Sequence, residues 1–139
     1  MTGDLNNLFV RAHTKLYQLL GGRGVDFGGR VILLTTTGAR SGKQRTLPVM
    51  AIATPSGNLA VAASLAGSDS HPQWYHNVLR NPTVSVQKAS DQYSATAVVE
   101  LEPERTLLYE LFEQGSDQFT GYKNMTTRVI PVISLRRDD

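Results

Sequence analysis

The sequence predicts an α+β barrel of mostly antiparallel strands, with an N-terminal helix and short helices set between strands. Three observations lead there. Six runs rich in β-branched and apolar residues follow one amphipathic segment. Two of the runs flank Thr54-Pro55-Ser56-Gly57-Asn58, a turn-rich loop that makes them an antiparallel hairpin. No G-x-G-x-x-G follows the first strand, and strands do not alternate regularly with helices, which excludes a doubly wound sheet. With 139 residues the chain has room for one core, so residues 1–139 read as a single domain, with a helix over 1–22 and a barrel over 31–136.

Residues 4–20 read as the helix, with Asp4 as N-cap. Leu5, Leu8, Phe9, Ala12, Leu16, Leu19 and Leu20 recur at spacings of three and four, and Gly21-Gly22 ends the pattern. This apolar face is expected to cover an open side of the sheet. The alternatives are a place over the active site or on a membrane surface, because Arg11 and Lys15 lie away from it. Strands are expected at 31–36, 47–53, 59–64, 83–87, 93–101 and 129–135, with Pro131 marking an edge or a bulge. Pro72 to Arg80 reads as a short helix closed by Asn81-Pro82. Pro103 opens another that runs through Leu107, Leu108, Leu111 and Phe112.

Composition narrows the function. No apolar run approaches the roughly 20 residues that span a bilayer. The N-terminus carries Asp4 and no basic stretch before an apolar run, so it does not read as a secretory signal, and a cytoplasmic location is the default. The absence of cysteine excludes disulfides, thiolate metal sites and cysteine nucleophiles. A net charge of +2 is too small for a general nucleic-acid binder. The positive charge is local instead. Arg40, Lys43 and Arg45 have no acidic residue among them, which suits a small anionic ligand.

Three segments carry chemistry. In Thr35 to Arg45, Gly38 and Gly42 let the backbone turn tightly and approach a ligand, Ser41 adds a hydroxyl, and arginine suits phosphate through its planar fork. The Walker A spacing is absent, and a solvated hairpin loop reads equally well from composition. In Ala62-Ala63-Ser64-Leu65-Ala66-Gly67, small residues at a strand end let a flat ring lie against the backbone, with the Ser64 hydroxyl near its polar edge. In His71 to Pro82, Trp74 and Asn77 share a helix face and offer an apolar surface and an amide; a core anchor and a loop cap are the alternatives. His71 and His76, five apart and without a third ligand, do not make a metal site.

Together these segments resemble the deazaflavin-dependent nitroreductases, also called F420-dependent quinone reductases. The resemblance rests on T-T-x-G-x-x-S-G-x-x-R with Thr36 in second place, the A-A-S strand end through Gly67, P-x-W-Y-x-N-x-x-x-N-P, and T-x-R-x-I-P from Thr126 to Pro131. It spans residues 31–135. It implies a split β-barrel like that of flavin-mononucleotide-binding oxidoreductases, holding coenzyme F420. It also implies hydride transfer to a small organic acceptor such as a quinone, nitro compound or activated enone.

Carried over, the loop Arg40, Ser41, Gly42, Lys43 and Arg45 would hold the phosphate and glutamate tail. Leu47, Pro48 and Val49 would lie against the ring with Ala63 and Ser64, and Trp74 and Asn77 would line the groove. On the substrate side stand Met50, Phe119 and Tyr122, and Ser64 or Tyr122 would supply a proton or hydrogen bond. Ala39 replaces an arginine of some members. Met50 replaces a tyrosine of the nitroimidazole-activating ones, while Ser116 and Phe119 stand near other substrate-side tyrosines. These departures argue against bicyclic nitroimidazoles and leave quinones. Two other readings remain open: a flavin mononucleotide enzyme on the same barrel, and a non-catalytic protein that sequesters F420 or a lipophilic ligand. The sequence does not give an oligomeric state.

Overall fold

The computed structural model describes the backbone of residues 2–138 and the side chains of residues 8–138. Its strands are β1 (Val31–Thr37), β2 (Gln44–Ala53), β3 (Leu59–Ala62), β4 (Thr83–Lys88), β5 (Asp91–Val99) and β6 (Val132–Arg137). Helix α1 (Thr2–Leu20) precedes them, and α2 (Gln73–Arg80) joins β3 to β4. Helices α3 (Glu104–Gly115) and α4 (Asp117–Met125) join β5 to β6. The strands close into an antiparallel barrel in the order β1-β2-β3-β6-β5-β4.

Closure is uneven. All of β2 from Gln44 to Met50 pairs with β1, but only Ala51, Ile52 and Ala53 pair with β3. The first half of β2 therefore has one free edge, and the barrel is split there. Pro48, which has no N–H to give a ladder, is tolerated on this stretch.

Alternation along the strands sorts the core into layers. Ile32, Leu34, Val61, Ala63, Val86, Ile133 and Leu135 point into the barrel with Trp74 and Val78 of α2. Outside, Ala60 and Val132 pack under Leu108, Tyr109, Phe112 and Phe119 of α3 and α4. On another flank Val31 and Leu33 pack against Tyr17 of α1. β1 is thus covered on both faces, which is why it reads as a continuous apolar run.

Helix α1 differs from its expected form in two ways. It begins at Thr2, so Asp4 lies inside it and is not its N-cap; the side chains of Asp4 and Leu5 lie outside the described residues. Its docked face is also not the apolar one. Thr14 and Tyr17 are buried and Val10 is half-buried, whereas Leu8, Phe9, Ala12, Leu16, Leu19 and Leu20 face solvent. The Tyr17 hydroxyl decides the docking. It donates to Val31 O at 2.9 Å and accepts from Ala89 N at 2.9 Å, so it satisfies backbone groups of β1 and of the β4–β5 turn. Gly22, at φ +83°, ends the helix by donating to Tyr17 O at 3.0 Å; a Cβ there would meet Ala89 Cα at 3.0 Å.

Other bounds shift for local reasons. β2 starts three residues earlier than the apolar pattern, because Gln44, Arg45 and Thr46 pair with β1 although they are polar. β6 begins only at Val132, after Val129, which is exposed, and Pro131. Helix α4 went unread, since Phe119 and Tyr122 are its main apolar signal and Gly115-Ser116 looks like the start of a loop. Ser116 is in fact its N-cap, the hydroxyl accepting from Gln118 N.

Candidate functional site

A groove of about 690 Å³ follows the free edge of β2, within the range of small-molecule sites. From β2 it takes Arg45, Leu47, Pro48, Val49 and Met50. Trp74 and Asn77 come from α2, Ser64 from the end of β3, and Phe119 and Tyr122 from α4. These ten positions were all singled out in the sequence, and the fold brings them to one cavity. Arg40, Ser41, Gly42 and Lys43 lie on the exposed β1–β2 loop and do not form the wall.

Ala63 requires a correction. It is fully buried inside the barrel, and Ala62 faces the groove instead, because neighbouring residues of a strand point to opposite sides. Leu65 and Ala66 of the small-residue segment also line the groove, as do Val10, Thr36, Pro72 and Gln73, to which the sequence gave no role there. Val10 was hidden because it lies off the apolar stripe of α1.

Asn77 is 2% exposed, and its amide is occupied by the protein. Its Oδ1 accepts from Ala39 N at 3.0 Å and from Gln73 Nε2 at 3.2 Å, while its Nδ2 donates to Thr36 Oγ1 at 3.0 Å. Asn77 therefore fastens the β1–β2 loop to α2, in keeping with the loop-cap alternative. Within that loop Gly42, at φ +70°, donates to Gly38 O, and Lys43 N donates to Ser41 Oγ. Arg40, Lys43 and Arg45 have no carboxylate within ion-pair distance among the described residues.

The turn after β3 is held by Arg128, the arginine of the T-x-R-x-I-P motif, to which the sequence assigned no role. Leu65 and Ala66 have φ of 44° and 52°, left-handed values that cost a side-chain-bearing residue roughly 1–2 kcal/mol each. Arg128 offsets this. Its Nε donates to Ser68 O at 2.8 Å, and its Nη2 donates to Ala63 O at 3.1 Å and Ser64 O at 2.9 Å. Its Nη1 donates to His71 Nδ1 at 3.0 Å. Arg128 thereby sets the height of Ser64, Leu65 and Ala66 in the groove wall. Burial first, then the charge of Arg128 and of His76, holds the His71 imidazole below its usual range, so it stays neutral and accepts. His71 precedes α2 rather than sitting on it, and its ring meets that of His76 edge-on, with centroids 5.9 Å apart. The Ser64 hydroxyl has no hydrogen-bond partner among the described residues, whereas Tyr122 Oη donates to Gln118 Oε1 at 3.1 Å.

Comparison with known proteins now identifies the frame. The family model described as F420H(2)-dependent quinone reductase matches residues 9–137. The chain belongs to this family. An F420H(2)-dependent quinone reductase of Mycobacterium tuberculosis H37Rv is 31% identical over 137 residues, covering 92% of this chain and 89% of the relative. Among solved structures, an F420-H2 dependent reductase, FDR-A, superposes with a TM-score of 0.70 at 38% identity, covering 77% of this chain and 94% of its own. A Listeria innocua protein described as a putative pyridoxamine 5'-phosphate oxidase superposes at 0.56 with 15% identity over 92% of this chain and 94% of its own, a likeness of fold alone.

This F420-dependent quinone reductase family member is accordingly an oxidoreductase whose cofactor is coenzyme F420. Its residues fit that group: the apolar groove could receive a flat ring, and Arg45, with Arg40 and Lys43 on the adjoining loop, would suit an acidic tail, none of the three having an ion-pair partner among the described residues.

Two outcomes are expected. Arg128→Gln removes several of the charge-assisted bonds and should lower stability by roughly 1.5–3 kcal/mol in urea denaturation. Because the folded His71 resists protonation, stability should be full above about pH 6.5 and fall as pH drops below it, the unfolded chain then binding the extra proton. In His71→Gln, whose amide oxygen still accepts from Arg128, that acid decline should be shallower.

Proposed function

We propose that this enzyme reduces quinones held in the groove between Met50, Phe119, Tyr122 and Val10. The observation that carries the reading is the pairing of an apolar groove with a cationic rim at one end. Reduced F420, when bound, supplies a hydride, and with one proton a quinone becomes a hydroquinone.

The chain's own part is placement and charge. Arg45, with Arg40 and Lys43 on the adjoining loop, binds the acidic tail. Leu47, Pro48, Val49, Ala62 and Trp74 give the ring an apolar bed and exclude water, which strengthens polar contacts inside the groove. Ser64 has a free hydroxyl and donates to the developing oxyanion of the acceptor; Tyr122 lines the same groove and becomes a second donor when its hydroxyl leaves Gln118. Met50 and Phe119, apolar where hydroxyl-bearing side chains would favour nitro groups, bias the site toward quinones over nitro compounds and enones.

The outward face of α1 supports a location for this chemistry. Among the described residues, no helix is long and apolar enough to cross a membrane. Leu8, Phe9 and Leu19 are 65%, 70% and 79% exposed, and the exposed Arg11 and Lys15 flank them on the same helix. An apolar stripe edged by cations suits the surface of an anionic bilayer, where lipid-dissolved quinones reside. The enzyme then works from the cytoplasm as a peripheral protein.

Stopped-flow oxidation of reduced F420 against quinones, nitroaromatics and enones tests the first reading, with quinones expected to turn over fastest. Arg45→Ala should weaken F420 binding at least about tenfold; an unchanged dissociation constant removes the cationic end from the site. For the second, wild-type protein should co-sediment with phosphatidylglycerol vesicles, and Leu16→Glu/Leu19→Glu should remain in the supernatant. Should the double change instead convert a dimer to a monomer in gel filtration, the face joins two copies of the chain and does not meet lipid.

A further inference from the structure

Ser64 lines the groove just past Ala62, the last residue of β3 to pair with β6. It is 9% exposed, and its hydroxyl has no partner among the described residues. No strand neighbour fixes its height. The carbonyls of Ala63 and Ser64 are gripped by Arg128 Nη2, that of Ser68 by Nε, and His71 Nδ1 by Nη1. One half-buried planar group therefore ties together the end of β3, the turn after it and the residue before Pro72, the N-cap of α2. The turn is also braced from α4. Gly67, at φ +80°, lies so close that a Cβ there would meet Met125 at 3.0 Å and Tyr122 Cα at 3.1 Å. Thr126 Oγ1 donates to Asp69 Oδ1 at 2.7 Å and accepts from Arg128 N at 3.2 Å.

The imidazole is the contact that can fail. Arginine only donates and stays charged, so Nδ1 of His71 is the bare nitrogen and the proton sits on Nε2. A second proton would set two donors and two positive charges 3.0 Å apart. The surroundings do not offset that. His76 faces the ring from α2 and adds like charge in acid, and Tyr75, with centroids 4.6 Å away, is a phenol that brings no charge there. Asp69 acts on the guanidinium and is engaged by Thr126. Tyr109, also near the guanidinium, is pushed up to about 12 by burial and stays neutral.

We infer that Arg128, seated by the bare nitrogen of His71, is a positioning residue for the reduction: it holds the Ser64 hydroxyl where the acceptor's oxygen gains charge, and acid releases it. This rests on the reading of Ser64 as a donor to the acceptor. Neither Arg128 nor His71 gains or loses a proton during turnover; the pair only fixes where the donor stands. A donor misplaced by about 1 Å costs up to about a hundredfold in rate.

Stopped-flow oxidation of reduced F420 by saturating menadione tests this. Arg128→Gln should lower kcat about tenfold or more, with the F420 dissociation constant and the KM for menadione within about twofold. In a Ser64→Ala background the same change should cost less than about twofold, because the group it positions is gone. After a pH jump on mixing, wild-type kcat should fall below about pH 6.5, and His71→Gln, whose amide oxygen accepts at every pH, should flatten that limb. A full additional loss in the Ser64→Ala background, or a loss confined to KM, overturns the positioning and leaves Ser64 as the donor. If Arg128→Gln does not fold, the pH profiles decide, and superimposable limbs in wild type and His71→Gln reject it. A Ser64→Ala enzyme as fast as wild type is a different failure: the donor reading goes, and the positioning goes with it.

Discussion

The barrel closes between β2 and β3 through only three residue pairs, and the groove is where that ladder stops. A longer ladder would satisfy the edge of β2 and leave no room for a ring. A shorter one would separate the hairpin from β6. The helices then follow from what remains uncovered. Trp74 of α2 plugs the barrel interior, α4 walls the far side of the opening, and α1 closes the flank through Val10. The site is thus an omission in a hydrogen-bonded lattice, framed by elements whose main work is to cover apolar surface.

Such an omission needs support, since backbone that leaves a ladder must find other partners. The turn of Leu65 and Ala66 shows how. Its left-handed residues persist because one guanidinium engages three carbonyls and an imidazole around it. Strain at a turn that lines the groove is held by a side chain from a segment about 60 residues away in sequence, just before β6. The last strand therefore both completes the barrel and sets the shape of the wall beside β3.

Much of this was legible in the residues. The β2–β3 hairpin announced itself through its turn, and β1 through an apolar run that burial on both faces requires. The ten groove positions came from recognising motifs in order, which supplied neighbours that composition could not. The misreadings share a cause. Periodicity says which residues of α1 share a face, but the hydroxyl of Tyr17 chooses the face that docks. Parity along β3 separates Ala62 from Ala63, but only the neighbouring strands and helices say which is inside. Asn77 looked able to hold a ligand, and in the fold its amide is already engaged. Arg128, a lone cation between Thr127 and Val129, gives no hint of its partners until the chain is folded.

The engagement of Asn77 has a mechanical result. One buried amide joins the tip of a charged hairpin to the helix that carries the aromatic wall. Those two surfaces would otherwise drift independently, and a long ligand would have to freeze both. Bolted together, they meet an extended molecule as a single preset mould, so seating its charged end already aligns its flat end, and little disorder is left to surrender on association.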